Sequence, residues 1–236
     1  MSKCCCIIRK GNKIYLKILF AKLNVSFLLF FAKKPLKRWV TTRKVQKIFA
    51  EKTSLKLHLG CGTVYKEGWV NIDNNSDNNI TKLDLNWDLR YPMPFPKNSV
   101  DFIFHEHMLE HLTSDEGQTF LKDCKRVLKK GGVMRIAMPD LRACIDTYLD
   151  DDWKEHNKAF LKKFGMDHIK TKAEMLNINF RNWGHKWLYD WEELERRLKD
   201  VGFAKIEQKK LRQSNYPELK NLETRNEYIL IDEVIK

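Results

Sequence analysis

Acidic residues are almost missing from the first 54 positions, where Glu51 stands alone against fourteen Lys and Arg. The rest of the 236-residue chain carries 30 basic and 30 acidic residues, so the whole formal charge of +13 belongs to an N-terminal arm. A protein that tracks nucleic acid carries its basic patch on the folded face that holds the substrate. With a neutral body, nucleic acid is disfavoured as a partner, and the arm points to an anionic surface, most simply a membrane met through residues 1–50. No CxxC pair occurs among the six cysteines and no disulfide framework suggests itself, which argues for a reducing, cytoplasmic compartment. Low-complexity tracts and internal repeats are also missing, as in an ordinary globular body.

A long uninterrupted apolar run is lacking too. Residues 14–32 are broken by Lys17, Lys22, Asn24 and Ser26. Twelve strongly apolar residues in that stretch contribute about −6 kcal/mol on the insertion scale, and the two lysines return about +5 to +7, so spanning gains nothing. The unbroken part, Phe27–Ala32, is too short to cross. A small-residue cleavage pattern is absent and Lys33, Lys34, Lys37 and Arg38 follow directly, which disfavours a signal peptide. Two expectations stay open: a helix in the membrane interface with Trp39 at its edge, or a helix docked on its own domain. Pro35 separates it from the basic segment that follows. Cys4, Cys5 and Cys6 read as plain thiols, with palmitoylation as the alternative.

What is present begins at Leu55. The stretch from Leu55 to Asp73 reads as an apolar strand ending in Gly60 and Gly62, then a short strand closing on Asp73. Such glycines let backbone approach a nucleoside, and a carboxylate on the next strand can accept from both ribose hydroxyls. Further strands are expected at Ile80–Leu85, Val100–Phe104, Val133–Met138, Phe203–Leu211 and Tyr228–Val234, with a polar turn over Asn74–Asn79 and a proline-broken loop over Tyr91–Pro96. Thr113 and Glu116 form a capping box for a helix expected to end at Gly131-Gly132, a second helix runs from Asp140 to about Leu149, and Asp190 and Glu193 cap one that stops at Gly202. The alternation predicts an α/β, doubly wound, mostly parallel sheet over residues 55–236, preceded by the helical basic arm, 1–54.

Leu-Gly-Cys-Gly at 59–62, Gly-Trp-Val-Asn-Ile-Asp at 68–73, Pro-Phe-Pro-Lys-Asn-Ser-Val-Asp at 94–101, His-Met-Leu-Glu-His at 107–111, Arg-Val-Leu-Lys-Lys-Gly-Gly at 126–132 and Met-Pro-Asp-Leu at 138–141 occur in order. This set resembles a class I S-adenosylmethionine-dependent methyltransferase of the type-11-like group, with a Rossmann-like fold. Gly-His-Lys-Trp-Leu-Tyr-Asp at 184–190 and Pro-Glu-Leu-Lys-Asn-Leu-Glu at 217–223 are similar to members found among enzymes of surface-polysaccharide synthesis. The resemblance implies S-adenosylmethionine as cofactor. It places the methionine and ribose over the Gly60-Cys61-Gly62 backbone, the ribose hydroxyls on Asp73, the adenine beside Asp88 and Leu89 (Asp84 being the alternative carboxylate), and the sulfonium beside the His105 backbone. Two departures stand out. Val64 takes the place of the frequent third glycine, and Asp73 follows Gly62 by eleven positions, too few for the usual helix between the strands. Tyr65 also breaks the Gly-x-Gly-x-x-Gly pattern that a dinucleotide would need.

Methyl transfer to a hydroxyl needs alignment and a base, and histidine is suited to that near neutral pH. His185 is the first choice as base or acceptor-orienting group and His107 the second. Arg181, Lys186 and Tyr189 are candidate acceptor contacts, and Asp140 either faces the crevice or caps its helix. His107 and His111 stand at i,i+4 on what reads as one helical turn, but no third ligand follows at a recognisable spacing, so no metal is expected. The expected acceptor is a small molecule or glycan, first a sugar hydroxyl, at a membrane surface on the cytoplasmic side. The alternatives are a non-catalytic cofactor-binding module and an RNA or protein methyltransferase that uses its arm. Oligomeric state is not encoded in any motif.

Overall fold

The computed structural model describes residues 43–51, 53–75, 79–226 and 229–236. The chain divides into two compact units, Met1–Lys47 and Ile48–Lys236, and of the first only the opening of helix α1 (43–51) is described. The expectations for Cys4–Cys6, the apolar stretch 14–32, Pro35 and the middle of the Asn74–Asn79 turn lie outside the described residues. Among the described residues no helix is long and apolar enough to cross a membrane.

The second unit is built on one seven-stranded sheet, ordered β3-β2-β1-β4-β5-β7-β6. Its strands are β1 (Lys56–Leu59), β2 (Val70–Asp73), β3 (Leu85–Asn86), β4 (Val100–Glu106), β5 (Leu128–Pro139), β6 (Lys205–Gln208) and β7 (Ile229–Ile235). Strands β1 to β5 run parallel, and β7 lies between β5 and β6, antiparallel to both. This is the mostly parallel, Rossmann-like class I methyltransferase sheet that the sequence implied. Leu57, Leu59, Ile72, Ile103, Phe104 and Ile136 are fully buried, as strands covered on both faces require. Strand order reverses between β1 and β4, and at such a switch point the carboxyl ends of the strands open a crevice.

Helix α2 (Ser114–Val127) starts at the expected capping box: Thr113 Oγ accepts from the Glu116 N–H, and Glu116 accepts from the Thr113 N–H. It buries Phe120, Leu121, Cys124 and Val127, each apolar side chain being worth about 1.5–3 kcal/mol when removed from water. Helix α3 (Leu141–Leu149) is capped by Asp140, whose carboxylate accepts from the Arg142 N–H. Helices α4 (Trp153–His156), α5 (Lys158–Lys163) and α6 (Lys172–Arg181) share a small core of Trp153, Leu161, Met166, Ile169 and Met175. Helix α7 (Trp191–Val201) is capped by Asp190 and ends at Gly202, whose φ of 84° is the left-handed conformation expected there.

Three expectations are corrected. The third strand is two residues long, because Asp84 folds back on Asn71: its carboxylate accepts from the Asn71 N–H and side-chain amide. Ile80 is likewise tied through its N–H and carbonyl to the Asn75 side chain instead of to a neighbouring strand. Helix α2 does not run to Gly131-Gly132. It stops at Val127 and passes at Leu128 directly into β5, which contains both glycines. Gly131 takes a φ of 77°, and a Cβ on Gly132 would stand 3.1 Å from the Asp101 carbonyl, so the pair serves an irregular strand junction. Strand β6 is also shorter than expected, Lys205–Gln208.

Candidate active site

At the end of β1, Gly60 and Gly62 have φ of 65° and 52°, which only glycine adopts without strain. A Cβ on Gly60 would collide with the Met108 side chain, whereas nothing lies within 4 Å of one placed on Gly62. The Gly62 N–H donates to Asp73 Oδ2 at 2.7 Å, and the Asn74 N–H donates to Asp73 Oδ1 at 2.6 Å. Each oxygen keeps a free lone pair at the strand end. The link between β1 and β2 contains no helix, as the short spacing required. An open cradle above Gly62 beside a fixed carboxylate fits the ribose end of S-adenosylmethionine. Cys61 is buried beside Asp73, and burial with that charge pushes its thiol up to about 12, so it stays protonated.

The two carboxylates considered for the adenine differ in their commitments. Asp84 accepts from the Tyr65 hydroxyl and from both Asn71 donors, which makes it a structural brace. Asp88 is paired with Arg90 through Nε and Nη2, the latter at 2.6 Å, and this hydrogen-bonded partner holds its carboxyl below the usual range. Leu89 beside it is buried. His105 is a fully buried residue of β4 whose ring meets Phe120 edge-on, and desolvation lowers its pKa to about 4. It is neutral at physiological pH.

Beyond β4 the chain turns sharply. His107 has a φ of 51°, rare for a residue with a Cβ, and a 3₁₀ turn, Leu109–His111, follows. His107 and His111 therefore do not share one helical face as expected. They do line one pocket of about 290 Å3, together with Pro139, Cys144, Phe160, Phe164, Asn179, Trp183, His185 and Arg225. His107 Nδ1 lies 3.2 Å from Glu110 Oε1, and Glu110 is fully buried. His185 Nδ1 lies 2.7 Å from the Asn179 carbonyl, so this nitrogen is the donor in that bond. The His185 ring touches His111 at 5.1 Å and Trp183 at 5.6 Å. Trp183 has a φ of 58°, so two strained non-glycine residues flank the pocket, a pattern typical of functional sites. His111 is lowered by burial, partly offset by Glu110.

The pocket thus joins the two histidines singled out in the sequence. Its wall and the groups behind it include residues that sequence reasoning missed, Glu110 behind His107 and Arg225 in the wall. Glu110 was visible inside His-Met-Leu-Glu-His, and its carboxylate between two imidazoles was the available signal. Arg225 had none. Its position follows from Glu106, which accepts from the Thr224 N–H and hydroxyl and from the Arg225 N–H. Of the other acceptor candidates, Tyr189 is fully buried and cannot touch an acceptor, Lys186 pairs with Glu116 at 3.6 Å, and Arg181 bonds to Asn177 on the surface. Asp140 caps α3.

The family model described as a methyltransferase domain matches residues 57–136, the segment from β1 to β5. No curated protein matches the chain. Similar solved structures include a SAM-dependent methyltransferase from Archaeoglobus fulgidus, 18% identical over 84% of this chain and 93% of that one, TM-score 0.49. A possible histamine N-methyltransferase from Thermotoga maritima is 15% identical, covering 87% and 96%, TM-score 0.43. An S-adenosylmethionine-dependent methyltransferase from Mesorhizobium loti is 13% identical, covering 77% and 90%, TM-score 0.46. With TM-scores below 0.5 these likenesses carry no argument about the acceptor. Residues 57–136 thus match a methyltransferase domain, and they are the part of the chain that builds β1 to β5 of this sheet.

Proposed function

We propose that this protein methylates a hydroxyl of a small-molecule or glycan acceptor seated in the pocket of His107, His111 and His185. The observation that carries this reading is the pocket itself. It lies beyond the carboxyl ends of β4 and β5, where His107 and Pro139 line it, and three imidazoles stand in its wall. Gly60, Cys61, Gly62 and Asp73 would hold the methionine and ribose, Asp88 and Leu89 the adenine, and the His105 backbone would stand near the sulfur. The bound cofactor supplies a methyl group already activated by a positively charged sulfur. What remains for the chain is to align the acceptor and hold its proton. His185, whose Nδ1 is fixed by the Asn179 carbonyl, offers Nε2 for that task, and His107, oriented by Glu110, is placed to share it. Phe160, Phe164 and Trp183 offer apolar faces against which a sugar ring could stack, which favours a glycan within this class.

Residues 1–54 form a separate arm in this proposal, and its charge supports a peripheral location on the cytoplasmic face of a membrane, where a sugar on a lipid carrier would be met. The central test is a radiolabelled methyl-transfer screen against sugar acceptors with wild type and His185→Ala. The variant should bind S-adenosylmethionine normally and lose turnover. Unchanged turnover removes His185 from the mechanism. For the arm, deletion of residues 1–50 should abolish co-sedimentation with anionic vesicles, and persistent binding refutes its role.

A further inference from the structure

Glu110, His111 and His185 each offer one ligand atom, and the three atoms lie within 4.8 Å of one another. We infer that these three side chains form a site for a divalent first-row transition ion such as Zn2+, with its open positions facing the acceptor pocket. An ion with bonds of about 2.0–2.2 Å sets its ligands roughly 3.3–3.5 Å apart, so the site needs only side-chain closure to form. Two imidazoles and one carboxylate suit Zn2+, Fe2+ and their neighbours, and leave positions for a substrate oxygen.

Further observations point to a ligand here. Glu110 is fully buried, yet among the described residues its Oε2 has no hydrogen-bond partner, a costly state for a carboxylate oxygen. The Nε2 of His107 is buried and unpartnered next to it. The far side of one proposed imidazole ligand is anchored on main chain: His185 Nδ1 bonds to the Asn179 carbonyl at 2.7 Å. Metal-ligating histidines are held in this way, since the second bond fixes the tautomer and the ring plane. His107 does the same for the carboxylate through Oε1. The third ligand, unrecognised in the sequence, is supplied by the loop after α6.

The ion-binding claim stands on these residues alone, while its use rests on the methyl-transfer reading. With an ion bound, His185 Nε2 serves as a ligand in place of the base role given to it above, and His107 remains for the proton. An ion held there would bind an acceptor oxygen from the pocket and acidify its hydroxyl, the proton passing to solvent, and would fix the oxygen's position.

The test uses tag-free full-length protein, freed of metal by chelation and titrated with Co2+ under visible absorption, with Zn2+ as competitor. A d–d spectrum displaced by Zn2+ is expected, with affinity at least about tenfold weaker in Glu110→Gln and in His185→Ala. The exposed control His156→Ala should match wild type. Far-UV circular dichroism checks that each variant is folded, and the near-isosteric Glu110→Gln guards against a packing defect. The absence of any d–d spectrum, or one retained in both ligand variants, overturns the site. So does a thiolate charge-transfer band that disappears when Cys4, Cys5 and Cys6 are replaced by Ser. S-adenosylmethionine affinity is measured on the same samples. Cobalt binding without cofactor binding would support the ion site and refute the methyltransferase reading, and the reverse result would overturn the ion site alone.

Discussion

Glu106, the last residue of β4, holds Thr224 by two of its donors: its carboxylate accepts from the N–H at 2.9 Å and from the hydroxyl at 2.7 Å. The same carboxylate accepts from the Arg225 N–H, so one strand end positions the segment that brings Arg225 to the pocket. Glu106→Gln removes the charge that strengthens these bonds and leaves one acceptor oxygen. The expected result is a KM for the acceptor raised several-fold with S-adenosylmethionine affinity unchanged, measured by steady-state kinetics and calorimetry.

The cofactor cradle rests on Asp73 and Gly62. Asp73→Asn replaces a carboxylate by an amide at a site that accepts from backbone N–H groups, and charge-assisted hydrogen bonds contribute about 1.5–3 kcal/mol each. Calorimetric affinity for S-adenosylmethionine should fall about 10- to 100-fold. Gly62→Ala should act similarly, since its φ of 52° strains any residue with a Cβ and the methyl would enter the open cradle.

Arg135 is a fully buried cation in β5 that bonds to Glu223 and, at 2.7 Å, to Glu233 of β7. Arg135→Met leaves two carboxylates buried without their partner, which costs about 3–5 kcal/mol. Thermal denaturation should show Tm lower by roughly 10 °C.

Asp232 lies in β7 with neither carboxylate oxygen hydrogen-bonded, and burial, reinforced by Asp140, pushes its pKa up to about 8. The folded state therefore keeps a proton that the unfolded chain releases near 3.8. Stability contributed by this group is complete below 3.8 and is lost as pH rises toward and through about 8. Asp232→Asn should flatten that decline and stabilise the protein at pH about 8 relative to wild type, read from urea unfolding at several pH values.

Elements with local punctuation were legible from the sequence. Thr113 with Glu116, Asp190 with Gly202, and the apolar runs of β1 and β4 declare themselves within a few residues. Gly131-Gly132 misled because a glycine pair that can end a helix also relieves a crowded strand junction, here against the Lys129 and Asp101 carbonyls, which the sequence does not reveal. Asp84 was misread because its side chain competes with strand pairing by taking the Asn71 donors. In the site, Gly60, Gly62 and Asp73 form a compact sequence signature. His111 and His185 do not, since their meeting depends on how α3 to α6 fold between them. No local pattern pairs Arg135 with Glu223, and only the fold buries them together.

The position of β7 has a consequence for how this domain is made. A ribosome delivers β6 before the strand that must separate it from β5, so β5 has no partner on that side until residues 229–235 have left the exit tunnel. Until then the Arg135 guanidinium lacks Glu233, and the nascent chain presents an open edge to other chains and to chaperones. Completion of the sheet is therefore a late event in synthesis, and a stop shortly before Ile229 should leave an aggregation-prone fragment even though the whole cofactor cradle has already been made.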